Sequence, residues 1–150
     1  MPRYFTLAQA ERALPKVEER IREALFVKAE HQRAEEELRG ITRKILLSGG
    51  VIVDQTHVAG VKSAKERAAA RLQEACEEIQ EIGCFVKDLD IGLLDFPTLY
   101  KGREVYLCWR LGEDRIRFWH HVEDGFRGRQ PIDDEFLDNH EGGGENDGDS

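Results

Sequence analysis

Four groupings in this chain have the residue types and spacing that chemistry needs, and all of them fall between residues 84 and 131. The first is the run WHHVEDG, which puts His120, His121, Glu123 and Asp124 within five residues. Two imidazoles and two carboxylates suit a divalent cation. Consecutive strand residues point to opposite faces, however, so His120 and His121 share an ion only across a bulge, and no HExxH pattern is present. A metal site here would therefore use His120 and Glu123, with Asp88 or Asp90 from the run KDLD supplying a further carboxylate. The competing reading makes His120 a core residue, His121 an exposed one, and Asp88 and Asp90 turn caps. The KDLDIGLLDFP segment also holds Asp95, but its spacing does not fit an EF-hand loop. No cofactor is the leading expectation, and a divalent metal ion is the alternative.

The second chemistry is anion recognition. Residues 103 to 129 contain six arginines and no lysine. A guanidinium grips carboxylate or phosphate with a planar fork and stacks on aromatic rings. Arg110, Arg127 and Arg129, with Trp119 on the face expected to carry cationic and aromatic groups, are the candidates for holding an anionic small molecule or protein partner. Glu104, Glu113, Asp114, Glu123 and Asp124 occupy the same interval, so internal ion pairs compete with that role. The same neutralisation breaks up any continuous basic patch and argues against nucleic acid. A cysteine nucleophile would pair Cys108 with His121, but neither an oxyanion device nor an orienting group accompanies them.

The elements that position these residues are legible in outline. Thr6 and Gln9 form a capping box that starts a helix, expected to kink or restart at Pro15 and to run to about residue 47, with Gly40 as an earlier possible stop. The segment VIVDQTH reads as a strand or a loop. A second helix, about 57–82, carries Val58, Val61, Lys65, Ala68, Leu72, Ala75, Ile79 and Ile82 on alternating steps of three and four, a heptad seam. Two such helices joined by a turn lie antiparallel, and a seam of this kind also joins subunits, as a dimer or larger assembly.

After residue 82, glycines at 83, 92, 102 and 112 punctuate a strand meander over about 84–122. A two-residue turn at Gly112 and Glu113 would face Trp109 to Ile116, Leu107 to Phe118 and Val105 to His120 on the core side. Tyr106, Cys108, Arg110, Trp119 and His121 would then share the other side. The fold class is α+β: a long antiparallel helical hairpin packed on a small antiparallel β-meander. It forms a single domain over 1–132, followed by a disordered acidic tail at 133–150.

Charge distribution supports that division. The net charge of −8 comes from 30 acids and 22 bases, and eight of the acids lie beyond residue 132, where there is neither lysine nor arginine. The body is thus neutral, and the overall acidity says little about its partners. Three cysteines without CxxC spacing argue for reduced thiols rather than a disulfide framework. Neither a spanning apolar run nor a secretory leader is present, so the expectation is a cytoplasmic protein that does not engage membranes.

The motifs KDLDIGLLDFP, EVYLCWRLGE and WHHVEDGFRGRQP, together with LPKVEERIRE upstream, resemble the bacterial family named domain of unknown function 2203 over about residues 4 to 132. Its members look like small stand-alone proteins with no assigned activity, so the resemblance implies boundaries and a cytosolic setting rather than a reaction. That family often has an acidic residue or glycine at the position of His121, which favours His120 as the functional imidazole. Taken together, the sequence points to a self-associating binding or scaffold module with an arginine-rich ligand loop. The alternative is a metal-dependent hydrolase-type enzyme built on His120 and nearby carboxylates.

Overall fold

The computed structural model describes residues 3–49 and 53–143. Thr6 starts α1, Leu7–Ser48, through the expected capping box: its hydroxyl accepts from the Gln9 amide at 3.1 Å, and the Gln9 side chain accepts from the Thr6 amide at 2.9 Å. The helix does not restart at Pro15 or stop at Gly40. Pro15 sits on the exposed side of a turn whose inner residues, Leu14 and Val17, are buried. That burial keeps the turn helical although Pro15 supplies no amide to it. Gly49, in the left-handed region at φ 66°, ends the helix.

The second helix, α2, covers Gln55–Ile82, two residues more at its start than the heptad pattern alone indicates. The extension comes from Asp54, whose carboxylate accepts from the amides of Thr56 and His57. The segment read as a strand or a loop lies partly outside the described residues, and its final residues open α2. Val61, Ala68, Ala75 and Ile79 are the buried stripe of α2, and Leu14, Val17, Ile21, Ala24, Val27 and Ala34 that of α1. Small alanines on both helices allow close approach, and Arg20–Glu78 and Lys65–Glu35 pairs flank the seam.

The sheet is antiparallel, in the order β1 (Phe85–Asp88), β2 (Leu93–Tyr100), β3 (Arg103–Arg110), β4 (Phe118–His121) and β5 (Gln130–Pro131). A short 3-10 turn at Phe126–Gly128 precedes β5. Beyond it, α3 (Asp134–Asn139) and β6 (His140–Glu141) follow, and β6 pairs with the end of β2 at Leu99 and Tyr100. One face of the sheet carries Leu94, Phe96, Val105, Leu107, Trp109 and Trp119 into a common core with Phe5, Leu14, Val17, Ile21 and Ile79. The chain is therefore an α+β fold, a long antiparallel helical hairpin on a small antiparallel meander.

The β3–β4 connection differs from the two-residue turn. Residues 111–117 all lie outside the ladder, and the register pairs Leu107 with Trp119, Cys108 with Phe118, Tyr106 with His120 and Val105 with His121. This is one residue away from the expected pairing, and a one-residue slip reverses every side chain. Trp119 consequently faces the core and His120 the opposite side. Ile116 explains the longer loop, because it leaves the strand to bury itself at 2% exposure while its amide donates to Oε1 of Glu11 in α1.

Residues 133–143 continue the fold rather than leaving it. Asp133 caps α3, and Phe136 is buried against Trp119 and Tyr100, with centroid distances of 4.9 and 4.8 Å. His140 Nδ1 donates to the Leu137 carbonyl, which leaves Nε2 to accept from the Leu7 amide at the start of α1. The rest of the expected acidic tail, 144–150, lies outside the described residues.

Candidate functional site

On the sheet face turned away from the helices, β2, β3 and β4 bring three chemically capable side chains together. Asp95 pairs directly with Cys108, and His120, opposite Tyr106, reaches back across β3 toward both. Carboxylate, thiol and imidazole donor atoms all lie within 4.8 Å of one another, and among the described residues this is the cluster with the composition of a metal site. Asp95 and Cys108 are 0% exposed and His120 is 2% exposed.

Hydrogen bonding fixes the imidazole. Nδ1 of His120 lies 2.8 Å from the His121 carbonyl oxygen, an acceptor only, so this nitrogen carries a proton. Nε2 lies 2.9 Å from Oδ1 of Asp95, while Oδ2 of the same carboxylate has no hydrogen-bond partner. Burial alone would discharge the ring. The bonds to Asp95, to Cys108 and to the His121 carbonyl, with the charge of Asp95, outweigh it and raise the His120 pKa to about 10. In this geometry His120 and Asp95 form a buried hydrogen-bonded pair beside the Cys108 sulfur.

This arrangement is not built for nucleophilic attack by Cys108. In a triad the carboxylate holds the imidazole nitrogen remote from the nucleophile. Here a backbone carbonyl takes Nδ1 and Asp95 takes Nε2, so neither nitrogen is left to serve the Cys108 sulfur as a base. No substrate reaches a sulfur that is fully enclosed.

Aromatic and cationic groups border the cluster. Tyr106 meets His120 edge-on at 5.6 Å and Phe85 at 6.1 Å, and Phe118 is the ladder neighbour of Cys108. The Arg129 guanidinium lies 4.1 Å from the Phe118 ring centre and 4.7 Å from that of Phe126. Its Nη2 donates to both Glu113 oxygens, at 2.7 and 2.9 Å, and to the Cys108 carbonyl. Glu113 in turn accepts from the Arg110 amide, and its carbonyl accepts from the Trp109 indole. Arg129 thus fastens the segment after β4 across the strands that carry the cluster.

The residues singled out from sequence are distributed over several places. Arg110 is exposed and lies 5.8 Å from the Phe126 ring centre, and Arg127 is exposed on the 3-10 turn. Arg129 already has an internal carboxylate, and Trp119 lies on the opposite, helix-facing side. Of the proposed ligands, His120 is in the buried cluster, whereas Glu123, Asp88 and Asp90 are exposed. Asp88 caps the turn through the Asp90 amide, and Asp90 pairs with Lys28. Sequence reasoning noted Asp95 and Cys108 but joined neither to His120. The available signal was a lone aspartate in the otherwise apolar run LLDFP, which becomes informative once the register is known.

A family model described as an uncharacterized conserved protein, DUF2203, matches residues 3–132. No curated protein and no solved structure matches the chain. No described helix is long and apolar enough to cross a membrane.

Proposed function

The chain belongs to the DUF2203 family, and from that premise we propose that it is a self-associating binding module in which the distal halves of two helical hairpins pair. The observation that carries this reading is the apolar surface left beyond the sheet. Buried residues of α1 end at Ala34, yet the helix continues to Ser48 with Ile45, Leu46 and Leu47 at 39, 77 and 80% exposure. Two helices alone cannot enclose such a surface, whereas four can.

A second copy of this chain is the occupant that the charge pattern suits. Glu35, Glu36 and Glu37 lie just before Arg39, Arg43 and Lys44, with Glu35 and Glu37 also paired inside the chain to Lys65 and His57. An antiparallel, two-fold pairing centred near Gly40 sets the acids of each copy against the bases of the other. Gly40 and Gly60 add to this: both sit inside helices, where glycine costs about 1 kcal/mol relative to alanine, and a Cβ at either would meet nothing within 4 Å. Open glycines on a helix face permit another backbone to approach.

The sheet end is the ligand-bearing end in this reading. Exposed Arg110 and Arg127 support recognition of an anionic group there, with Arg129 organising the loop. Light scattering on a sizing column tests the assembly. The wild type should run at about twice the 17.2 kDa chain mass, and Leu46→Glu with Leu47→Glu should shift it to the monomer without loss of helicity. A monomeric wild type at micromolar concentration would sink the proposal.

A further inference from the structure

We propose that Asp95, Cys108 and His120 are the ligands of one divalent transition-metal ion of the zinc class, held by carboxylate oxygen, thiolate sulfur and imidazole Nε2. The inference goes beyond the pairing of copies, since all three donors belong to one chain and one sheet.

Several independent features of the cluster converge on an ion. The three donor types are those that zinc and its neighbours take, and the sulfur disfavours magnesium and calcium, which select oxygen ligands. The donor atoms lie within 4.8 Å of one another. Ligands at about 2.0–2.3 Å from a tetrahedral centre stand roughly 3.5 Å apart, so small rotamer adjustments complete the site. The His120 Nδ1 contact to the His121 carbonyl is the bond that commonly orients a ligating imidazole and leaves Nε2 facing the metal.

The unpartnered Oδ2 of Asp95 is the second sign. A wholly buried carboxylate oxygen without a donor is costly, and a cation supplies what the protein does not. Charge also balances, because carboxylate, thiolate and neutral imidazole carry two negative charges against the two positive charges of the ion. Three donors leave a tetrahedral ion one further position, which water or a ligand atom from outside the triad would take.

The experiment uses the whole chain, treated with chelator and then titrated with Co2+. The expected result is uptake of one ion per chain with an intense near-ultraviolet thiolate-to-cobalt absorption. Zn2+ should displace the absorption, and Cys108→Ser should abolish it. No uptake, uptake without the thiolate absorption, or an absorption that persists in folded Cys108→Ser overturns the assignment. Should that variant fail to fold, X-ray absorption at the zinc edge of the zinc-loaded wild type decides: one sulfur among the scatterers supports the triad, and none or more than one overturns it. Metal uptake and chain mass are read separately, so failure of this site leaves the pairing of hairpins standing, and a monomer that binds metal leaves the site standing.

Discussion

His120 Nε2 and Asp95 Oδ1 lie 2.9 Å apart although 25 positions separate the two residues, because the imidazole crosses the central strand β3 to reach β2. Both side chains are essentially closed to solvent. Breaking such a pair leaves one charge buried without a partner. Asp95→Ala should therefore cost about 3–5 kcal/mol in urea denaturation of the chelator-treated protein. The double variant Asp95→Ala with His120→Ala should fall short of the sum of the singles by about 0.5–3 kcal/mol. Additive losses would show that the pair does not act as a unit.

Arg129 and Arg127 stand two residues apart and should behave differently. Arg129 has an 11% exposed side chain bonded to both Glu113 oxygens, whereas Arg127 is exposed. Arg129→Ala should destabilise by about 1.5–3 kcal/mol, and Arg127→Ala should stay within about 0.5 kcal/mol. Hydrogen exchange in residues 122–131 should accelerate in the first variant alone, and equal rates in the two would contradict the fastening role of Arg129.

Gly92 is a position where an added methyl group meets backbone strain and a neighbour at once. Its φ is 66°, and a Cβ there would lie 2.5 Å from the Leu111 Cβ. Gly92→Ala should cost about 2–4 kcal/mol from the left-handed conformation and overpacking together. Gly102, at φ 77° with open space around it, is the control: alanine there should cost about 1–2 kcal/mol from conformation alone. Comparable midpoint shifts for the two would remove the packing argument.

Burial pushes the Cys84 thiol up to about 12, from an ordinary value of 9.0. The sign follows from linkage: the unfolded chain ionises this thiol first, so stability should fall as pH rises from about 9 toward about 12. Cys84→Ala should flatten that part of the profile. In the native protein at pH 8, a thiol reagent should modify half-buried Cys76 well before buried Cys84 and Cys108. Mass spectrometry of partly labelled protein reads the order, and early labelling of Cys84 would contradict it.

The helices were legible in the sequence because caps and apolar period act locally. Thr6 with Gln9, and Val61, Ala68, Ala75 and Ile79, declare themselves without reference to the sheet. The candidate cluster was not legible, although each member was noticed. Its assembly depends on whether residues 111–117 form a short turn or a seven-residue excursion, which the burial of Ile116 against α1 decides. A contact with residue 11 is invisible to hairpin rules, and the resulting slip carries His120 to the side of Asp95 and Cys108. Phe136 was hidden by composition: four acids surround one aromatic anchor in DDEFLD, and what it packs against, Trp119 and Tyr100, is distant in sequence.

The meeting of the first described residues with the last sets an order on biosynthesis. The Tyr4 amide donates to the Gly143 carbonyl, the Gly143 amide returns the bond, and the Leu7 amide that opens α1 is capped by a histidine 133 positions later. The helical hairpin needs only residues up to 82 and can form while the ribosome is still elongating the chain. The Tyr4 and Leu7 amides and the end of β2 gain these last partners only once residues 140–143 have emerged. Until Phe136 follows, the Tyr100 and Trp119 rings lack the aromatic cover that it supplies in the finished fold.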